Sequence, residues 1–197
     1  MALAKAGRPN DITGIEQELR RRQLIFKPVS IRLFTSRQNF ITHADYKEWA
    51  VELKDDAAKY NATYEMVPGL ARDGLIRERP EDSGIPGEPG EIISLRSTNL
   101  PNHYIVHGSF ELLLMTQLDS PVYDQNATFR IRPRLANRRG VSFESLNYPD
   151  DYVVVDRDRR LRLKRRQATS SFSQAETFDI VTPRMKFYEK QKRLLPE

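Results

Sequence analysis

Along residues 29–183 apolar and polar side chains alternate in short runs, and turn-forming residues interrupt the runs at regular intervals. A period of two puts one face of each run inside and the other in water, which predicts half-buried β-strands. Three segments align without a gap over fourteen residues. They are Ser30-Ile-Arg-Leu-Phe-Thr-Ser-Arg-Gln-Asn-Phe-Ile-Thr-His43, Ser94-Leu-Arg-Ser-Thr-Asn-Leu-Pro-Asn-His-Tyr-Ile-Val-His107 and Ser142-Phe-Glu-Ser-Leu-Asn-Tyr-Pro-Asp-Asp-Tyr-Val-Val-Val155. Each reads as strand, turn, strand. Ile31, Leu95 and Phe143 coincide, as do Phe40, Tyr104 and Tyr152. The Asn-Leu-Pro-Asn and Asn-Tyr-Pro-Asp stretches are turn chemistry, with Pro presetting φ and Asn or Asp tolerating unusual dihedrals.

A third strand follows each segment, at Trp49–Leu53, Phe110–Leu114 and Arg160–Leu163. A fourth follows a short loop, at Asn61–Val67, Asn126–Arg132 and Ala175–Val181, with Thr63-Tyr64, Thr128-Phe129 and Thr177-Phe178 in register. Propensity alone would allow a helix over Ala44–Tyr60, but the repeat predicts a strand at Trp49–Leu53 and then a single turn near Asp55–Lys59. One four-stranded unit cannot bury its apolar face, so three must close on one another. The expectation is therefore an all-β fold, a β-trefoil of three four-stranded repeats at 29–71, 92–140 and 141–183. A Pro- and Gly-rich loop insertion at 72–90 separates the first two repeats.

Two basic tails flank this body. Residues 1–28 and 184–197 each carry a net charge of +3, while residues 29–183 carry −1. The N-terminal tail predicts a short amphipathic helix over about 13–26, from the capping box Thr13-Gly-Ile-Glu16 to Arg20, Arg21 and Arg22. Within the body, Arg157–Arg166 holds seven basic residues in ten. Read as a strand, it turns Leu161 and Leu163 inward and Arg162 and Lys164 outward. Read as a docking surface, Arg20, Arg21, Arg22, Arg160, Arg162, Lys164, Lys186, Lys190 and Arg193 would meet a protein partner with an acidic surface. The sequence carries no nucleic-acid motif with interleaved aromatics, so nucleic acid is not favoured.

Composition excludes more. The chain has 197 residues and no Cys, which removes a disulfide framework, a thiol nucleophile and any Cys-ligated metal. With three His in all, no metal spacing and no phosphate-cradling glycine loop, neither a metal nor another cofactor is expected. No apolar run approaches the roughly 18–20 residues of a membrane span. The N-terminus lacks the apolar core of a secretory signal, so either an intracellular, cytoplasmic setting or a mature or excised piece is expected, and the sequons at Asn61 and Asn126 are read as structural.

The repeated frame of Ser-x-Arg-Ser-x-Asn-x-Pro, Tyr-Ile-Val-His, Phe-Glu-Leu, Asn-Ala-Thr-Phe-Arg-Ile and Gly-Val-Ser-Phe-Glu-Ser-x-Asn-Tyr-Pro resembles the arabinose-binding domain of α-L-arabinofuranosidase B enzymes, a family 42 carbohydrate-binding module. The match is closest over 92–155 and looser over 29–75 and 156–183. The resemblance implies a β-trefoil in which each unit can present a shallow pocket for an arabinofuranose side chain. A His of the second strand and an Asp just before the Ala-Thr-Phe strand build that pocket. Carried over, the His is His43 in unit one and His107 in unit two, while unit three has Val155. The Asp becomes Asn61 and Asn126, and in unit three Ala175. An amide accepts less strongly than a carboxylate, so each retained pocket is expected to be weakened by roughly 1–2 kcal/mol.

No paired carboxylates flank a predicted cleft, since Asp55-Asp56 and Asp150-Asp151 fall in turns, and catalysis is not expected. Two readings remain. The first is a non-catalytic interaction protein, a structural or accessory subunit of a larger intracellular assembly docked through its tails and trefoil surface. A cytoskeletal or ciliary assembly is one such setting, since tubulin is acidic. The second is a carbohydrate-binding module using His43/Asn61 and His107/Asn126. The eroded pockets, the basic tails and the missing signal favour the first.

Overall fold

The computed structural model describes residues 27–71, 92–133 and 140–185. The expected N-terminal helix, the 72–90 insertion and the charges at Arg20, Arg21, Arg22, Lys186, Lys190 and Arg193 lie outside the described residues. The all-β expectation holds. Twelve strands run β1 (Pro28–Leu33), β2 (Asn39–Ala44), β3 (Lys47–Glu52), β4 (Tyr64–Pro68), β5 (Ile92–Ser97), β6 (His103–Gly108), β7 (Glu111–Thr116), β8 (Phe129–Pro133), β9 (Val141–Ser145), β10 (Asp151–Val155), β11 (Leu161–Arg165) and β12 (Phe178–Val181). Three single-turn helices precede every fourth strand: α1 (Asp56–Asn61), α2 (Pro121–Asn126) and α3 (Ser170–Ala175).

These helices correct the strand starts expected from the repeat. Asn61, Asn126 and Ala175 end helices rather than begin strands. Each helix is too short to persist alone. It forms because a cap residue satisfies a free amide: Asp55 accepts from Ala58, Ser120 from Tyr123 and Thr169 from Phe172.

Every pairing is antiparallel. β1, β4, β5, β8, β9 and β12 form a closed ring in which each strand bonds the next and β12 returns to β1. The remaining strands form three hairpins, β2–β3, β6–β7 and β10–β11. The hairpins hold one another through their tips. Tyr46 O accepts from Leu114 N at 3.0 Å, Phe110 O from Leu163 N at 2.8 Å and Arg159 O from Ala50 N at 2.8 Å. All three donated-to residues lie at positive φ, 57°, 65° and 66°, a conformation that costs a side-chain-bearing residue free energy and that this closure maintains. Asn102 and Asp150, in the β5–β6 and β9–β10 turns, also have positive φ, in keeping with their turn chemistry.

Inside the ring the repeat-matched residues meet. Ile31, Leu95 and Phe143 join Tyr64, Phe129 and Phe178, each at most 3% exposed. Each large apolar side chain buried this way stabilises the fold by roughly 1.5–3 kcal/mol. A polar pair interrupts this core. Glu48 and Tyr64 are both fully buried, and the Tyr64 hydroxyl donates to Glu48 Oε2 at 2.7 Å. On the outer side of the ring, cross-strand charges face each other. Arg32 bonds Asp179, Arg96 bonds Glu65, and in the third unit the order reverses, with Arg130 opposite Glu144.

Candidate functional site

The repeat places His43 on β2 and His107 on β6, each near the end of its strand. Asn61 and Asn126 close α1 and α2. The two helices carry these amides back towards the histidines, but a residue from the following unit completes each group. His43 Nε2 meets Asn99 Oδ1 at 3.1 Å, and Asn99 Nδ2 donates to Asn61 Oδ1 at 2.7 Å. In the second copy His107 Nε2 meets Asn147 Oδ1 at 2.9 Å, and Asn147 Nδ2 donates to Asn126 Oδ1 at 2.7 Å. An amide oxygen only accepts, so Nε2 carries the proton in both rings and Nδ1 is left as an acceptor. Ser97 and Ser145 also donate to Asn99 and Asn147, fixing the amide orientation.

Each candidate pocket therefore straddles a boundary between units. Sequence reasoning found the His and the helix-end Asn and missed Asn99 and Asn147, which it assigned to turns. Their alignment within the fourteen-residue repeat was the available signal. At the third boundary Val155, Ala175 and Thr35 occupy the matching positions. None of the three can rebuild the His–Asn–Asn chain.

Both histidines are buried, 6% and 4% exposed. Burial lowers the pKa of each, against the hydrogen bond to Asn99 or Asn147, which raises it. His103 lowers His43 further, whereas Asp151 raises His107. The imidazoles are thus held neutral near pH 7, as uncharged donor–acceptor groups suited to hydroxyls. Asp151 itself is raised, chiefly by burial.

The rims differ in character from the floors. Tyr148, 45% exposed, stands edge-on to His107 with ring centroids 5.4 Å apart, and Phe110 lies 5.5 Å from Tyr148. At the first pocket Tyr46 stacks on His103 at 6.1 Å. The arrangement offers neutral hydrogen-bonding groups beneath exposed aromatic faces, which is the chemistry that recognises a polyol ring with one apolar face.

The expected docking charges of the body are committed elsewhere. Arg160 bonds Glu111 at 2.7 Å and lies over the Trp49 ring. Arg162 bonds Asp156 and Asp158, and Lys164 bonds Asp156 at 2.8 Å. Three of the run's seven basic residues are thus held in ion pairs with Glu111, Asp156 and Asp158. Among the described residues no group of three or more His, Asp or Glu is placed to hold a metal ion. No helix among them is long and apolar enough to cross a membrane.

Comparison with known proteins gives a consistent answer. The family described as "Alpha-L-arabinofuranosidase B (ABFB) domain" matches residues 29–180. A GH54 α-L-arabinofuranosidase soaked with a cyclic sulfate inhibitor superposes with a TM-score of 0.64 at 26% identity, over 80% of this chain and 31% of that one. An arabinofuranosidase complexed with arabinofuranosyl-alpha-1,2-xylobiose superposes with a TM-score of 0.65 at 26% identity, over 81% of this chain and 31% of that one. The chain thus spans about a third of these enzymes. The ricin B-like lectin of Macrolepiota procera, in complex with lactose, shares the fold at 12% identity, with a TM-score of 0.51 over 81% of this chain and 97% of the lectin. No curated protein matches in sequence. These findings overturn the reading as a structural or accessory subunit of an intracellular, cytoskeletal or ciliary assembly. The matched body is that of a domain of arabinofuranosidases, and the three docking charges expected within it, Arg160, Arg162 and Lys164, are ion-paired inside the chain.

Proposed function

The chain belongs to the alpha-L-arabinofuranosidase B (ABFB) domain family, and on that premise we propose that it is a non-catalytic carbohydrate-binding module recognising arabinofuranose side chains. The scaffold is a β-trefoil of repeats 29–71, 92–140 and 141–183, a reading supported by the six-strand ring and its three hairpins. The hydrolytic activity of the matched enzymes falls to the remainder of their chains. The observation that carries the proposal is the His–Asn–Asn chain, built twice at successive boundaries from His43, Asn61 and Asn99 and from His107, Asn126 and Asn147.

Neutral imidazole and amide groups exchange hydrogen bonds with vicinal hydroxyls, and the exposed rings cover the apolar face of the sugar. With an amide at each helix end the individual contacts are weak, so useful affinity comes from several side chains presented together on a branched polymer. Calorimetric titration with an arabinofuranosyl xylobiose, against xylobiose as control, tests this. Heat of binding from the branched sugar alone is the expected result. Equal response to both sugars, or to neither, overturns the reading. Turnover of a synthetic arabinofuranoside that survives purification overturns its non-catalytic part.

A further inference from the structure

The two pockets share a floor and an exposed aromatic corner, Tyr46 or Phe110, and differ in other groups around them. In the first, Asn61 Nδ2 is committed, donating to the His43 carbonyl at 3.1 Å. In the second, the Asn126 amide nitrogen makes no such bond among the described residues, and it is not among the enclosed polar atoms. In the first, the ring at the β6 start is His103. Its Nδ1 faces Pro101 O at 2.9 Å and its Nε2 faces Thr116 Oγ1 at 3.0 Å, so both nitrogens are occupied. The matching residue of the second pocket is Asp151, 8% exposed, whose Oδ1 is enclosed and has no hydrogen-bond partner. Arg165 Nη1 lies 3.9 Å from that oxygen, on a largely exposed side chain.

The walls differ as well. Leu100 stands at the first pocket where Tyr148 stands at the second, and Leu100 is packed against the main core. Tyr148 keeps 45% of its surface exposed beside a half-exposed Phe110.

We propose that the two pockets are unequal and that the one built on His107, with Tyr148, Phe110, Asn126 and Asp151, is the primary pentofuranose site. This deepens the carbohydrate-binding reading and rests on it. The free Asn126 N–H donates to a ring or hydroxyl oxygen. A sugar hydroxyl entering beside His107 donates to the part of the Asp151 side chain that stays exposed, 12% of its surface. Tyr148 and Phe110 cover the C–H face. The first pocket offers only the His43 floor and Tyr46.

The test is a titration of the full chain with arabinofuranosyl xylobiose, followed by imidazole NMR resonances. The His107 signals should saturate at a sugar concentration at least tenfold below that needed to shift His43. Tyr148→Ala should weaken the tight site tenfold or more, and Asp151→Asn about fivefold, with melting temperature and circular dichroism confirming that each variant is folded. His43 and His107 responding at the same concentration, or both variants binding as the parent does, overturns the inequality while leaving the module reading intact. No response at either imidazole overturns both.

Discussion

Tyr64 donates its phenolic hydrogen to Glu48 at 2.7 Å, and these two residues stand where the second unit has Phe129 and Leu112 and the third has Phe178 and Leu161. The first unit has thus exchanged both members of an apolar pair for a hydrogen-bonded one. Tyr64→Phe removes the partner and leaves the buried carboxyl unsatisfied, with an expected loss of about 1–3 kcal/mol by urea denaturation. The Tyr64→Phe, Glu48→Leu double variant restores the arrangement of the other units. It should be at least as stable as the parent, giving a large favourable coupling in a double-mutant cycle.

Stability should fall with rising pH above neutrality. Burial pushes Glu48 up to about 8 and Glu176 up to about 7. Between the ordinary carboxylate value and these raised values the folded chain holds more protons than the unfolded one, so unfolding becomes easier as pH rises. The buried histidines act in the opposite sense. Their lowered pKa values cost stability as pH falls through about 6.5, where the unfolded chain takes up the proton. Urea midpoints from pH 7.5 to 8.5 therefore isolate chiefly Glu48. A declining midpoint is expected there, made no shallower by Glu176→Gln, which acts mainly below pH 7.5.

Replacing the bridging amide should retune the imidazole. In Asn147→Asp a carboxylate takes the hydrogen bond from His107 Nε2 and favours the imidazolium. The His107 pKa should rise by about one unit or more in an NMR titration, while that of His43 stays in place. Sugar binding should weaken at neutral pH, because the new carboxylate also faces Asn126 Oδ1.

Gly140 lies where β9 begins against β12. A methyl group there would meet Thr177 Cγ2 at 2.5 Å and Phe178 O at 3.0 Å. Thr177 cannot swing aside freely, since its hydroxyl donates to Ser173 O at 2.6 Å. Gly140→Ala should cost about 1–3 kcal/mol. Gly108→Ala meets only the flexible Leu113 Cδ1 at 3.3 Å and should melt within a few degrees of the parent.

The strand plan was legible because Ile31, Leu95 and Phe143 repeat with their neighbours over a long ungapped window. The single turn near Asp55–Lys59 was legible in the first unit, but its copies at Pro121–Asn126 and Ser170–Ala175 were not, because six residues show no helical period. Their caps Ser120 and Thr169 were present but gave no apolar stripe to anchor. His43 and His107 were legible from the repeat and the resemblance. Asn99 and Asn147 were hidden by a sufficient local explanation, since an Asn two places before Pro already makes sense as a turn residue. Their role needs knowledge of which units abut. The basic run misled for a related reason. Asp156 and Asp158 read as punctuation along the chain, whereas hairpin pairing sets them beside Arg162 and Lys164. That misread charge, together with the weight given to the amides replacing aspartates, produced the structural-subunit reading that the family match corrected.

The hairpin tips bond one another through main-chain carbonyls at Tyr46, Phe110 and Arg159, so the locking function at those corners belongs to the backbone and not to the residue type. Three different side chains already occupy equivalent corners. Each corner is a mount whose fitting can be exchanged while the framework stays latched, and new ligand preferences in this lineage can arise there by single substitutions without re-engineering the interior.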